Sequence, residues 1–464
     1  MQAIINFFAT IQNFGKYLMV PLMLLIIGLV FGAKIDKALK GAVLVGVGLM
    51  GLDLVIGLIS TYLGPIQAAI VAMVQKNLTI DLGWTVLSGI AFSTQVGTVI
   101  IPFLLVVNLV WLAIGATRTL DIDIWNFWLY AFCGSYIAAY TDNIALGLLA
   151  AAALMIVMYT IGDITARKCQ ETSGIPGIAF PHANMVGGYL FGYALEPVYN
   201  AVEKAFKKNK GEDEEKNAEV ASKLKNNPFV NMIKDPVIIG LLLGIIVAVV
   251  ARLDVKQVFL TGMAMAALMY LLPRMAKVLM EGFVPISEQA KVFMNKHFKG
   301  RDFYIGMDYA VLMGHPTAII GAVVLIPIMI VISIILPGNL ILPVATLAST
   351  GYWCIAPLIV HKGKTVRSVI TASVFFVFFL LAGTHMLPTL TKLAMGCGYE
   401  AGASGYIAAM SLIVFPVFLV ALPFEISPIV GCIWCVLLIV VSFFADKRYF
   451  KKLDAELATE AKGE

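Results

Sequence analysis

Asp308, His315 and Asn339 stand in the stretch YIGMDYAVLMGHPTAIIGAVVLIPIMIVISIILPGNLILP, 304–343, most of which is apolar enough to sit in a membrane. Ionisable side chains in such surroundings are costly, and they usually line a functional cavity. Seven residues separate Asp308 from His315. On a continuous helix that is two turns, which puts both on one face. Pro316 restricts the backbone of Gly314-His315 and frees a carbonyl. Pro337-Gly338-Asn339 ends the following helix. A carboxylate, an imidazole and backbone groups released by broken helices suit a polyhydroxylated ligand, held by many modest hydrogen bonds without strong charge. The competing use of the same residues is a polar network that pins two helices together.

Other polar positions are weaker candidates. GIPGIAFPHANMVGGY, 174–189, is a second broken segment, with His182 after Pro181 and Asn184 two residues on. FSTQVGTVIIP, 92–102, places Thr94 and Gln95 at the start of an apolar run, where they serve either a ligand or helix–helix hydrogen bonding. Asp53 lies deep in GLMGLDLVIG and needs a partner or a cavity. Glu288 lies on the amphipathic segment PISEQAKVFMNKHF, 285–298, and with Glu281 ahead of it is a candidate for the inner end of a pathway; solvated charges on an interfacial helix are the plainer reading. Glu425 is an isolated carboxylate near a break, and Asp142-Asn143 reads as a turn. His297, His361 and His385 have no ligand-like spacing, and Cys432-x-x-Cys435 falls in an apolar run where packing explains it. No metal and no cofactor are expected.

The elements that must position these residues are membrane helices. Of 464 residues, 60% are hydrophobic and only 13% charged, against roughly 25% charged in soluble domains. The pattern predicts an all-α polytopic membrane protein with about eleven crossings. They fall near 17–33, 41–61, 95–116, 126–141, 144–162, 235–251, 257–273, 317–336, 341–360, 368–389 and 428–445. Segments 62–94, 175–200, 280–316 and 401–427 are interrupted by Gly and Pro and read as hairpins, re-entrant pieces or interfacial helices. The N-terminal MQAIINFFATIQNFGKYLMV lacks a basic region ahead of its apolar stretch, so the first helix is expected to be retained. The chain divides into a membrane repeat 1–200, a charged linker 201–233, a second membrane repeat 234–446 and a tail 447–464. The two membrane parts share weak matches in the same order: LGPIQAAI with FVPISEQA, and Pro102 in VIIPFLLVV with Pro327 in VLIPIMIVI. Five crossings separate the two starts, so the repeats are expected to be inverted, a transporter architecture with its site near the midplane. Eleven crossings put 28 of the 33 Lys and Arg on one side. Basic residues favour the cytoplasm, so the N-terminus is expected outside and the C-terminus inside.

GMDYAVLMGHP, then LIPI, then LPGNLILP, closely resembles the galactitol-type enzyme IIC permeases of the bacterial phosphotransferase system, a family related to ascorbate-type IIC permeases. The resemblance spans the chain, including the charged linker and the FPHAN segment. It implies a homodimer in the inner membrane, with a core domain and a V-shaped transport domain that moves like an elevator. It also implies cytoplasmic IIA and IIB partners, with a IIB phosphocysteine phosphorylating an alditol or sugar held by this chain. By comparison with the ascorbate-type permeases, His182 and Asn184 face substrate. Asp308 is the candidate base or orienter of the phosphorylated hydroxyl, and His315 donates to a hydroxyl or shares a proton with Asp308. The chain has neither a IIB-like Cys-containing loop nor a IIA-like His domain, so no stand-alone catalytic nucleophile is expected. An ion-coupled secondary transporter of a polyol or sugar, using Asp53 and Asp308, is the alternative. An intramembrane His/Asp enzyme fits less well. No nucleic-acid partner is expected.

Overall fold

The computed structural model describes the chain apart from residues 1–15, 49, 52–53, 55–60, 63–77, 122–125, 208–235, 298–302, 344, 400, 402–403 and 464. Helices dominate: α1 Lys16–Val30, α2 Gly83–Phe92, α3 Gln95–Ala113, α4 Phe127–Thr141, α5 Ile144–Ser173, α6 Met185–Lys207 and α7 Pro236–Val250. They continue with α8 Val255–His297, α9 Pro316–Ile335, α10 Thr350–Trp353, α11 Ile355–Val360, α12 Thr365–Gly396, α13 Val414–Ile426 and α14 Pro428–Gly463. Residues 35–48 are helical as well. Local chemistry sets the ends. Asn143 caps α5 by accepting the Ala145 and Leu146 amides at 2.9 and 3.2 Å, and Gly174, at φ 70°, closes it. Among the described residues three helices are long and apolar enough to cross a membrane: Ile144–Ser173, Thr365–Gly396 and Pro428–Glu456. The last is on the outside of the molecule, with Ile429, Ile433 and Phe444 exposed. The centre of the core is aromatic: the buried Trp353 ring lies 4.8 to 5.2 Å from those of Phe375, Phe376 and Phe379 on α12.

Two expectations are corrected. Residues 341–360 do not form one crossing; they break into a two-residue strand, a 3-10 turn at Thr346–Ser349 and the short helices α10 and α11. Pro343 withholds a backbone donor there, and Thr350 turns its hydroxyl onto the Ala322 carbonyl at 2.6 Å. The segment 280–316 is not interrupted where expected, because α8 runs unbroken to His297. Gly282 of α8 lies directly on Gly41; a Cβ on either would sit 2.6 Å from the other's carbonyl oxygen, so this contact requires glycine. The α14 helix continues through residues 447–463 and ties back by Arg118–Asp454 at 2.6 Å. The fold is mostly helical, as expected of an all-α membrane protein, and a few very short strands supplement the helices.

Five very short strands join distant parts of the chain: β1 Thr79–Ile80, β2 Thr119–Asp121, β3 Ile178–Ala179, β4 Tyr304–Gly306 and β5 Ile341–Leu342. One sheet has the order β2-β4-β3, all parallel, with Thr119 opposite Tyr304 and Ala179 opposite Gly306. The other pairs β1 with β5, Thr79 opposite Ile341, and adds a parallel bridge from Asp81 to Ala408. In each sheet the central strand comes from one half of the chain and its neighbours from the other. Tyr304 follows Thr79 by 225 residues, Ile341 follows Thr119 by 222, and Ala408 follows Ala179 by 229. The helix starts α3 and α9, at Gln95 and Pro316, are 221 apart, as are those of α5 and α12, at Ile144 and Thr365.

Candidate functional site

The central strand β4 delivers Asp308 to the site. Two residues beyond the strand, Asp308 caps a 3-10 helix, Tyr309–Gly314, and its Oδ1 accepts the Ala310 amide at 2.8 Å. The Asn126 side chain, at the start of α4, also donates to this carboxylate. Opposite stands His182, from the turn between β3 and α6. Its Nε2 is 3.8 Å from Asp308 Oδ1, which is too far for a direct hydrogen bond. The Asn184 backbone amide donates to His182 Nδ1 at 3.3 Å. Nδ1 is therefore the acceptor, and the ring proton sits on Nε2, facing Asp308. The His182 ring packs on Tyr309 at 4.4 Å, and Tyr309 meets Tyr352 edge-on at 5.1 Å. The Asn184 side chain reaches the Tyr309 hydroxyl and accepts from Ser411 Oγ at 3.5 Å. The imidazole is 4% exposed, whereas the carboxylate side chain is 19% exposed. The result is a half-open carboxylate against a buried aromatic and imidazole wall, built from both halves of the chain.

The other sequence candidates divide between placements. Asp308 and His315 are not on one helical face: a six-residue 3-10 helix separates them, and each caps an end of it. At a rise of about 2 Å per residue, they are on the order of 14 Å apart along the axis. His315 also caps α9, its Nδ1 accepting the Thr317 amide at 3.1 Å. Thr94 is the matching cap of α3: it accepts the Gly97 amide at 2.9 Å and bonds Ser135 Oγ at 2.6 Å. Gln95, beside it, is exposed. Asn339 is buried, and its amide is fully used by groups of α9, its own loop and α12. Nδ2 donates to the Ser333 and Ile341 carbonyls at 2.8 Å each, and Oδ1 accepts from Ile341 N–H and Thr384 Oγ1. Glu281 and Glu288 are exposed on α8. Asp53 lies outside the described residues.

The family model of the "PTS system sugar-specific permease component", EIIC-GAT, matches residues 10–405. The chain belongs to this permease family. The permease is 33% identical over 407 residues to a putative permease IIC component of Escherichia coli K12, covering 87% of this chain and 91% of that one. It is 30% identical over 401 residues to the galactitol-specific EIIC component of the same strain, covering 86% of each. The sequence resemblance to galactitol-type IIC components is thereby established, and with it a membrane component of a phosphotransferase sugar-transport system.

Several polar groups of the permease escape a reading of the sequence. Asn126 is hidden in the aromatic run DIWNFW. Tyr309 and Tyr352 look like ordinary packing residues. Asp81 and Asp163 are fully buried carboxylates that tie the two sheets, and each sits among residues that read as a turn or an ordinary helix. Asp163 accepts from Thr117 Oγ1 at 2.6 Å, Thr119 Oγ1 at 2.8 Å and the Arg118 amide at 3.2 Å. A further cluster closes the loop between α11 and α12. His361 Nδ1 bonds Glu196, its Nε2 bonds Thr371 Oγ1 at 2.9 Å, and Arg367 donates to Glu196 and Asn200 at 3.1 Å each. Burial pushes the His361 imidazole below its ordinary range, with Glu196 opposing part of that effect. Both ring nitrogens of His361 are engaged within the protein, so this cluster serves architecture rather than ligand binding.

Proposed function

We propose that this permease binds a neutral alditol or sugar of the galactitol class at Asp308 and moves it across the inner membrane as a separate IIB protein phosphorylates it. The observation that carries this reading is the half-open Asp308 carboxylate facing the Nε2–H of His182. A single ligand hydroxyl placed between them accepts from His182 and donates to Asp308. That suits an uncharged polyol and gives the leaving proton a nearby acceptor when the hydroxyl is phosphorylated. Phosphoryl transfer depends largely on such positioning. The matched spacing of the sheets and helices supports two inverted repeats, the arrangement in which one body rocks or slides against another. An elevator-like motion, a homodimer with core and V-shaped domains, an outside N-terminus, a cytoplasmic C-terminus and a pathway past Glu281 and Glu288 complete the reading.

Inverted vesicles carrying the permease test it. They are supplied with IIA, IIB, the general phosphotransferase proteins, phosphoenolpyruvate and labelled alditols and sugars. The expected result is one phosphorylated compound, lost when IIB or the permease is omitted. Gradient-driven accumulation of unmodified compound without IIB overturns the reading.

A further inference from the structure

The protein carries a second strand-to-helix carboxylate, Asp81, in the other sheet. Asp81 follows the central strand β1 as Asp308 follows the central strand β4, and each accepts the amide two residues ahead: Gly83 N–H at 2.7 Å and Ala310 N–H at 2.8 Å. Each is then approached from the other half of the chain at two places. Asp81 receives Thr346 N–H at 2.8 Å, Thr346 Oγ1 at 2.7 Å and Met410 N–H at 2.7 Å. Asp308 is approached by Asn126 and His182, which precede Thr346 and Met410 by 220 and 228 residues.

The difference lies in how far each carboxylate is satisfied. A carboxylate has about four acceptor positions. At Asp81 the protein fills all four, and the residue is 2% exposed. At Asp308 the amide of Ala310 and the side chain of Asn126 donate, the imidazole stands off at 3.8 Å, and the side chain is 19% exposed. The offset between the two has a steric cause. In strand register the residue matching Asp81 is Gly306, where a Cβ would sit 2.9 Å from Asp121 Cα and 3.0 Å from Pro181 Cγ. A side chain does not fit there, and the carboxylate stands two residues further along, at the open edge.

We propose that the Asp81 knot is the sealed counterpart of the Asp308 site: the Thr346 hydroxyl and the inner amides occupy on Asp81 the acceptor positions that ligand hydroxyls take on Asp308. The chain then binds one polyhydroxylated ligand, through hydroxyls acting as hydrogen-bond donors to Asp308, and the Asp81 half binds none. This rests on the proposed function for the class of ligand, but its structural half does not.

The test compares Asp81→Asn, Thr346→Val and Asp308→Asn in the full-length protein. Thermal unfolding in detergent is measured without ligand, and affinity is measured for the compound phosphorylated in the vesicle assay. At Asp81 an amide turns an acceptor into a donor among four donors, so a large fall in the unfolding midpoint is expected, with affinity kept in the folded fraction. Thr346→Val, which removes one of the four donors, is expected to give a smaller fall and serves if Asp81→Asn does not fold. Asp308→Asn is expected to leave the midpoint unchanged and to lower affinity about tenfold or more. Equal destabilisation by Asp81→Asn and Asp308→Asn overturns the proposal, as does affinity lost at Asp81 and retained at Asp308. If no compound is phosphorylated, the proposed function falls while the unfolding comparison still decides whether Asp308 is an open site or a second knot.

Discussion

Asn339 and His182 illustrate how similar residue types end in different work. Both are buried polar side chains beside helix breaks. Asn339 spends every donor and acceptor on protein groups of α9, its own loop and α12, so Asn339→Ala is expected to cost about 1–3 kcal/mol of stability and to leave ligand affinity unchanged. Chemical denaturation and binding to the same preparation check the two halves of that statement. His182 spends only Nδ1 on its neighbour and turns Nε2–H toward Asp308. His182→Phe keeps a ring packed against Tyr309 but removes that proton, so binding is expected to fall while the Asp308 backbone cap survives. A variant that bound its ligand normally would remove His182 from the site. The sequence shows that 304–343 carries costly polar groups, but not which of them are spent. That depends on neighbours distant in sequence: Asn126 and His182, more than a hundred residues from Asp308, and Thr384, 45 residues from Asn339.

At the scale of elements, α5, α12 and α14 were legible as long apolar runs, and each extends beyond the span predicted for it. The two-residue and three-residue strands were not legible, because so short a segment has no periodicity to read. The break of 341–360 was missed for a related reason: its apolar composition satisfies a helix, while Pro343 and the pairing of β5 with β1 decide against one. Close helix contacts make a further prediction. Gly187 of α6 faces Phe375 of α12, where an added Cβ would lie 2.1 Å from the ring. Gly187→Ala is expected to cost about 1–3 kcal/mol, read as a lower unfolding midpoint. The loop between α11 and α12 should respond to acid. The His361 pKa is lowered in the fold, so its contribution is complete above the unfolded value, about 6.5, and is lost as pH falls below that toward the folded value. His361→Gln is expected to lose less stability than the wild type between about pH 7.5 and 5.5, measured by thermal unfolding at both.

For the molecule as a whole, the asymmetry of Lys and Arg gives the prediction that a fluorescent protein fused after Glu464 is bright and a phosphatase fused there inactive. The reverse result would invert the proposed orientation. The pairing of strands across the two halves also bears on how the protein is made. β1 leaves the ribosome roughly 260 residues before β5. At about 5–20 residues per second, its backbone waits from about 13 to about 50 seconds for its partner. Asp81 waits as long for Thr346 and longer for Met410. During that interval a carboxylate and a strand edge are without their final donors, in or beside a bilayer that offers few others. Nascent chains arrested before residue 341 should therefore be sensitive to protease around Thr79–Gly83, and chains arrested after Met410 resistant. Biogenesis of this permease is thus a process of delayed closure, in which the first half is inserted early but acquires its native structure only when the second arrives.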